Sequence, residues 1–311
     1  MVTPNACLRP LLCGLLALAV IVFGAPWRTS HVVSAQDQTL FLSVTDASGD
    51  PVTDLTVEGL LVRWDDEDCE TLVVEPINWP VRITVFVDNE RGGREAIQDM
   101  REGLKLFGDA IPAQVEVALA TLAGRPRFVT MHTSDREELA HGIDLIVPEA
   151  GGIRFRDALV EEADRLNGDE ARQYFPVIVM VANGDSPEGS TSQQRAYENM
   201  LERMVGNLAT VHTRMLMNSR RGAFSAGNQV QVGINLSEVT GGTYESMAIS
   251  TAFRTMLPEL GRDIARKHRL VSNQYRVTYA PPDSISNPSA VQIVTNRSGI
   301  NLVATLDGNV P

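Results

Sequence analysis

The sequence predicts an α/β domain with a doubly wound, mostly parallel sheet, a small β unit ahead of it and a β extension behind it. Two runs, Ile83-Thr84-Val85-Phe86-Val87 and Val177-Ile178-Val179-Met180-Val181-Ala182, are continuously apolar or β-branched. Such runs mark strands covered by helices on both faces. Helical patterns alternate with them, beginning near Arg94, where Ile97, Met100, Leu104, Phe107, Ala110 and Ile111 share one face. The first run leads into Asp88-Asn89-Glu90-Arg91-Gly92. That places a carboxylate at the carboxyl end of a buried strand, where sheets of this class carry their sites.

The elements follow in order. Leu40 to Asp46 alternates like a strand, Ala47-Ser48-Gly49-Asp50-Pro51 supplies a turn, and 60–64 and 71–74 supply two further strands around an acidic turn. After the first helix, 114–120 and 127–132 read as a hairpin joined by Gly124-Arg125-Pro126. Ser134-Asp135-Arg136-Glu137 matches a capping box, which predicts a helix to about Leu145. Helices are expected over 155–166 and 191–207, a strand over 210–217, and a loop rich in Gly, Ser and Arg over 218–233. The last long helix, 253–271, contains Pro258, which predicts a kink or a first turn there. Strands over 274–279, 291–294 and 301–305 close the chain. The implied division is 1–35 signal, 36–80 β lead-in, 81–272 α/β domain and 273–311 closing strand with β extension.

Residues 1–35 carry Arg9, an apolar stretch over 11–24 and Val33-Ser34-Ala35 before Gln36, the pattern of a cleaved secretory signal. The alternative is a retained membrane anchor, because the apolar stretch approaches the lower limit of about 17 residues for a span. Export to the periplasm, the cell surface or the medium is the expectation, with no stable membrane insertion once the signal is removed. Cys7 and Cys13 lie inside the signal, which leaves Cys69 without an intramolecular partner. Its acidic neighbours, Asp65 to Asp68 and Glu70, are expected to raise its thiol pKa and make it a poor nucleophile.

The chain has 27 basic and 39 acidic side chains, a net charge of −12. Loss of Arg9 and Arg28 with the signal leaves 25 against 39, or −14. That balance excludes nucleic acid and anionic membrane surfaces as partners. Enzyme motifs are absent: His132, His141, His212 and His268 show no metal-ligand spacing, and neither a Gly-x-Ser-x-Gly elbow nor a Gly-x-Gly-x-x-Gly loop occurs.

The element order, together with Val44-Thr45-Asp46, Gly49-Asp50-Pro51-Val52-Thr53-Asp54, Thr133-Ser134-Asp135, Thr240-Gly241-Gly242-Thr243-Tyr244 and Gln274 to Pro281, resembles the von Willebrand factor type A domain. The resemblance is to bacterial exported proteins that carry this domain. It implies a metal-ion-dependent adhesion site built from Asp-x-Ser-x-Ser, a threonine and an aspartate, which hold Mg²⁺ in a shell of hard oxygens. Against that pattern, Asp88 keeps the first position, Glu90 and Gly92 stand at the two serines, Ile153 at the threonine and Asn183 at the aspartate.

One of five ligands is retained, so the resemblance implies a degenerate site on a non-catalytic, exported protein-interaction module that needs no cofactor. Two alternatives stay open. A remodelled site built from Asp88, Glu90, Asn183 and Asp185 would take Mg²⁺ or Ca²⁺ weakly and mediate metal-dependent adhesion. A hydrolase or nucleotide-binding enzyme would instead use Asp88 with Asp185. Outside the crevice, Arg220, Arg221 and Phe224 form a basic, aromatic cluster in an acidic protein and are the expected partner-binding residues.

Overall fold

Both ends of the described chain build one sheet, and the stretch between them builds another. The computed structural model describes residues 37–65, 67–169, 173–217, 227–282 and 290–305. The signal reading over 1–35 and the cluster Arg220, Arg221 and Phe224 lie outside the described residues.

The first sheet begins with β1 (Gln38–Asp46), β2 (Leu60–Trp64) and β3 (Glu67–Ile77). It is completed by β10 (Gln274–Ala280), β11 (Val291–Thr295) and β12 (Ile300–Thr305), in the order β11-β2-β3-β10-β1-β12. The expected lead-in and C-terminal extension are therefore one unit. β3 pairs with β10 from Ile77 opposite Gln274 to Glu70 opposite Ala280. The whole α/β stretch is thus inserted between two hydrogen-bonded neighbours. β3 is long enough to pair with β2 through its first residues, 67–69, and with β10 through the rest.

Period-2 alternation gives this unit its own core of Leu40, Leu42, Val44, Val62, Trp64, Tyr275, Val277 and Tyr279. Phe41, of opposite parity in β1, packs instead against the core of the α/β unit. Tyr275 is buried in the centre, where its hydroxyl accepts from Leu55 N at 3.0 Å and donates to Val52 O at 3.0 Å. Cys69 is buried in β3, and burial raises its thiol pKa, with Asp68 adding a smaller electrostatic contribution. The acidic flank is thus the lesser cause of the shift expected from the sequence.

The inserted unit contains β4 (Val81–Val87), α1 (Ile97–Ala110), β5 (Glu116–Thr121), β6 (Arg127–Thr133) and α2 (Arg136–Asp144). It continues through α3 (Phe155–Gly168), β7 (Phe175–Asn183), α4 (Gln194–Gly206) and β8 (Thr210–Leu216), and ends with α5 (Gly227–Val239), β9 (Tyr244–Met247) and α6 (Phe253–Val271). Its strand order is β6-β5-β4-β7-β8-β9, parallel throughout except for β6, which pairs antiparallel with β5.

Alternate residues of β4 and β7 feed opposite cores. Ile83, Val85, Val87, Val177, Val179 and Val181 meet α1, α2 and α6, while Phe86, Ile178, Met180 and Ala182 meet α3, α4 and α5. Helices on both faces are the reason these strands read as continuous apolar runs. Helices α1 and α6 approach closely at Gly103, where an added Cβ would fall 2.4 Å from Phe253 O.

Several expectations are corrected. The α2 cap is Asp135, whose carboxylate accepts from Glu137 N and Glu138 N, and not the Ser134–Glu137 box. The helix expected over 191–207 is α4, 194–206. The loop expected over 218–233 is helical from Gly227 onward. Its Gly, Asn and β-branched valines have low helix propensity, so packing decides the matter. Leu236 is fully buried, and Gly233 lets the backbone approach Thr213 and Tyr244. Of the two readings of Pro258, the first-turn one is corrected, since α6 starts at Phe253 and runs through the proline.

Replacing Tyr275 by phenylalanine leaves Leu55 N–H and Val52 C=O without their buried partner, a cost of about 1–3 kcal/mol. Urea unfolding of Tyr275→Phe should show a loss of that size, and unchanged stability would contradict the role given to this hydroxyl.

Candidate functional site

The carboxyl ends of β4 and β7 lie side by side, with Val87 opposite Val181. Asp88 follows directly, and its backbone N–H donates to Val181 O at 2.8 Å. Its side chain turns inward and is 2% exposed. One carboxylate oxygen accepts from Glu90 N at 2.8 Å and the other from Asn183 N at 3.0 Å. Burial pushes this carboxyl up to about 6, against the hydrogen bonds it accepts and with help from the neighbouring Glu90 charge. The Ser186 hydroxyl also favours the anion, although it makes no well-formed hydrogen bond of its own.

The other candidate donors are similarly committed to local backbone. Glu90 caps the short 3-10 turn Arg91–Gly93 by accepting from Gly92 N. The side-chain oxygen of Asn183 accepts from Asp185 N at 3.0 Å. Asn89, fully buried, accepts from Ala123 N and donates to Val147 O, so it joins three loops. Ile153 is fully buried in the core beneath α3, and its N–H donates to Pro187 O. Gly152 before it has φ +71°, and a Cβ there would lie 2.8 Å from Pro187 O, so this crossing of two loops requires glycine.

A crevice of about 480 Å³ opens beside these turns. Of the four sequence-predicted metal residues, Asn183 and Asp185 line it, while Asp88 and Glu90 do not. The rest of the wall comes from Gly92, Gly93, Glu95, Ala96, Leu216 and the stretch Ala248-Ile249-Ser250. Ile249 is 64% exposed there. Sequence reasoning missed this wall because the short strand β9 that positions it was not recognised.

The residues present do not fit the hard-oxygen shell that the resemblance implies. Both oxygens of Asp88 are spent on backbone amides, position 92 offers no hydroxyl, and Ile153 belongs to the core. Among the described residues, no group of three or more His, Cys, Asp or Glu side chains is placed to hold a metal ion.

A second polar group was also missed. Thr84, in the middle of β4, donates to Glu162 at 2.9 Å and meets His132 Nε2 at 3.1 Å. Burial lowers the His132 pKa to about 3 and raises that of Glu162, which pairs with Arg165. The trio lies between the sheet and α3 and does not line any of the larger clefts, so it packs the fold.

A parallel sheet ordered β6-β5-β4-β7-β8-β9 with an antiparallel hairpin edge is the observation that decides the architecture. The fold is a doubly wound, mostly parallel α/β sheet with an antiparallel edge strand. A scan against protein-family models finds no match, nor does a search of curated proteins. Solved structures similar to this chain include a von Willebrand factor type A protein from Catenulispora acidiphila, at 10% identity and a TM-score of 0.49, covering 86% of this chain and 72% of that one. The conserved hypothetical protein BatB from Bacteroides thetaiotaomicron is similar at 11% identity and a TM-score of 0.44, over 60% of this chain and 99% of its own. The human COPII-coat protein Sec24c is similar at 13% identity and a TM-score of 0.48, over 75% and 42%.

The Asp88 carboxyl makes a signed prediction. Its folded pKa, about 6, lies above the ordinary value of 3.8, so the folded state holds this proton more tightly than the unfolded chain. The contribution to stability is fully present below pH 3.8 and is lost as pH rises through 6, an effect of at most about 3 kcal/mol. In Asp88→Asn this dependence should vanish. Urea unfolding of both proteins at pH 4 and pH 7.5 checks it, and a wild-type-minus-variant difference that does not change with pH would contradict it.

Proposed function

We propose that the protein is an exported, non-catalytic protein-interaction module that engages its partner at the crevice without a metal ion. The observation that carries this reading is the inward turn of Asp88. The one retained position of the adhesion pattern has both oxygens on backbone amides, so it holds two loop ends together. What the crevice offers a partner is instead backbone at Gly92 and Gly93, the polar side chains Glu95, Asn183 and Asp185, and the exposed apolar Ile249. The exposed Ile249 at the rim of this polar crevice supplies the apolar part of the contact. The cluster Arg220, Arg221 and Phe224 remains a proposed second contact on its charge and aromatic content.

Export is proposed from the signal pattern of residues 1–35. Among the described residues, no helix is long and apolar enough to cross a membrane. A metal-dependent reading with a remodelled site has one observation in its favour, since Asn183 and Asp185 both line the crevice.

Calorimetric titration separates the two readings. Mg²⁺, Mn²⁺ and Ca²⁺ should show no saturable binding below about 1 mM, and micromolar binding that disappears in Asp185→Ala would overturn the metal-free reading. Partners captured from the exported fraction with the full chain should be retained in the presence of EDTA and lost with Ile249→Glu. Retention by that variant would move the contact elsewhere.

A further inference from the structure

A second cleft, of about 560 Å³, lies between the N-terminal turns of α3, α4 and α5. Its volume falls within the range of small-molecule sites, about 300–1,000 Å³. Its chemistry differs from the usual apolar pocket, because side-chain amides dominate the wall: Gln194 from α4, and Asn228, Gln229, Gln231 and Asn235 from α5. An amide both donates and accepts; Gln194 already donates to Glu198 at 3.2 Å and Gln231 to Asn235 Oδ1 at 2.8 Å, so their second N–H and their remaining carbonyl lone pairs face a ligand.

The two charged residues at its edge are already committed. Arg156 donates to Ser192 Oγ at 2.9 Å and to Ser192 O, and Glu188 accepts from Ser190 N at 2.8 Å. These bonds hold both side chains against the loop 190–192.

The floor holds hydrogen-bonding capacity that the fold does not use. Gln229 is 1% exposed, with its amide N–H₂ fixed on Ser186 O at 3.1 Å, and its side-chain oxygen has no partner among the described residues. The hydroxyl of Tyr197, also buried, has none either. Leaving such groups unmade costs free energy, which a ligand that supplies both donors and acceptors recovers.

We propose that this cleft binds a neutral saccharide. Hydroxyl groups on a ring donate and accept at close spacing, as the amide wall does, and they carry no charge to be repelled by a protein of net charge −12. A peptide is less well matched. The cleft is closed by helices and not by a sheet edge on which an extended backbone could pair. Its aromatic residues Phe155 and Tyr197 are also buried, so no apolar pocket receives a side chain.

The test is titration of the full chain with maltotriose, cellotriose, mannotriose and triacetylchitotriose, read by calorimetry and saturation-transfer NMR. Saturable binding of at least one sugar below about 10 mM is expected. Tyr197→Phe and the pair Gln231→Leu with Asn235→Leu should each weaken it roughly tenfold. Tyr197→Phe removes only an unpartnered hydroxyl, so its melting temperature should not fall, whereas a structural role for that hydroxyl would lower it. No binding of any of the four sugars, binding unchanged in both variants, or binding of tri-asparagine in place of sugar would each overturn the proposal.

Discussion

The pairing of β3 with β10 is the constraint on which the architecture depends. Ile77 faces Gln274, so the chain leaves the first sheet and returns to it between adjacent strands, having built the entire α/β unit in between. Closing a loop of that length costs conformational entropy. The burial of Tyr275, Val277 and Tyr279 in β10 against Leu40, Leu42 and Val62 offsets it. The inserted unit is anchored at the amino ends of its strands, next to Trp79 and Phe175, which are in contact at 5.6 Å between ring centroids. Its carboxyl ends, the edge that carries sites in such sheets, are left facing away from that junction.

At those free ends the structure spends its acidic residues on itself. Asp88 ties Glu90 to Asn183, Glu90 caps the next turn, and Asn89 joins the loops around Ala123 and Val147. A carboxylate that accepts two backbone amides keeps only about half of its four acceptor sites, and here the inward turn and the burial of Asp88 hold those away from the crevice. Burial acts in the other direction by favouring the protonated form, so the clamp sits near its own titration point at neutral pH. The same loops wall both the crevice and the amide-lined cleft, since Asn183 and Asp185 lie on one side of the turn and Glu188 and Ser190 on the other.

Much of the fold was legible because local pattern and burial agree. The runs ending at Val87 and Ala182 are apolar on both faces, and both faces are covered; the stripe from Ile97 to Phe107 is the buried face of α1. What was not legible is non-local or weakly encoded. Nothing in the text of β3 or β10 says that they pair across about two thirds of the chain. Helix α5 contradicts its own propensities and is held by Leu236 and by the close approach at Gly233, contacts that exist only after folding. Asp88 was found at its place, but an aspartate at a strand end reads equally as a ligand pointing outward or an acceptor pointing inward. Only the positions of Glu90 N and Asn183 N decide between them.

Amide hydrogen exchange at Glu90 and Asn183 tests the clamp most directly. If Asp88 holds both N–H groups in the native state, they exchange slowly, at rates close to those of the buried strands β4 and β7, and about 10 mM Mg²⁺ leaves them unchanged. Fast exchange at either amide, or rates that shift when the metal is added, would show that the carboxylate is free to serve as a ligand and would contradict the account.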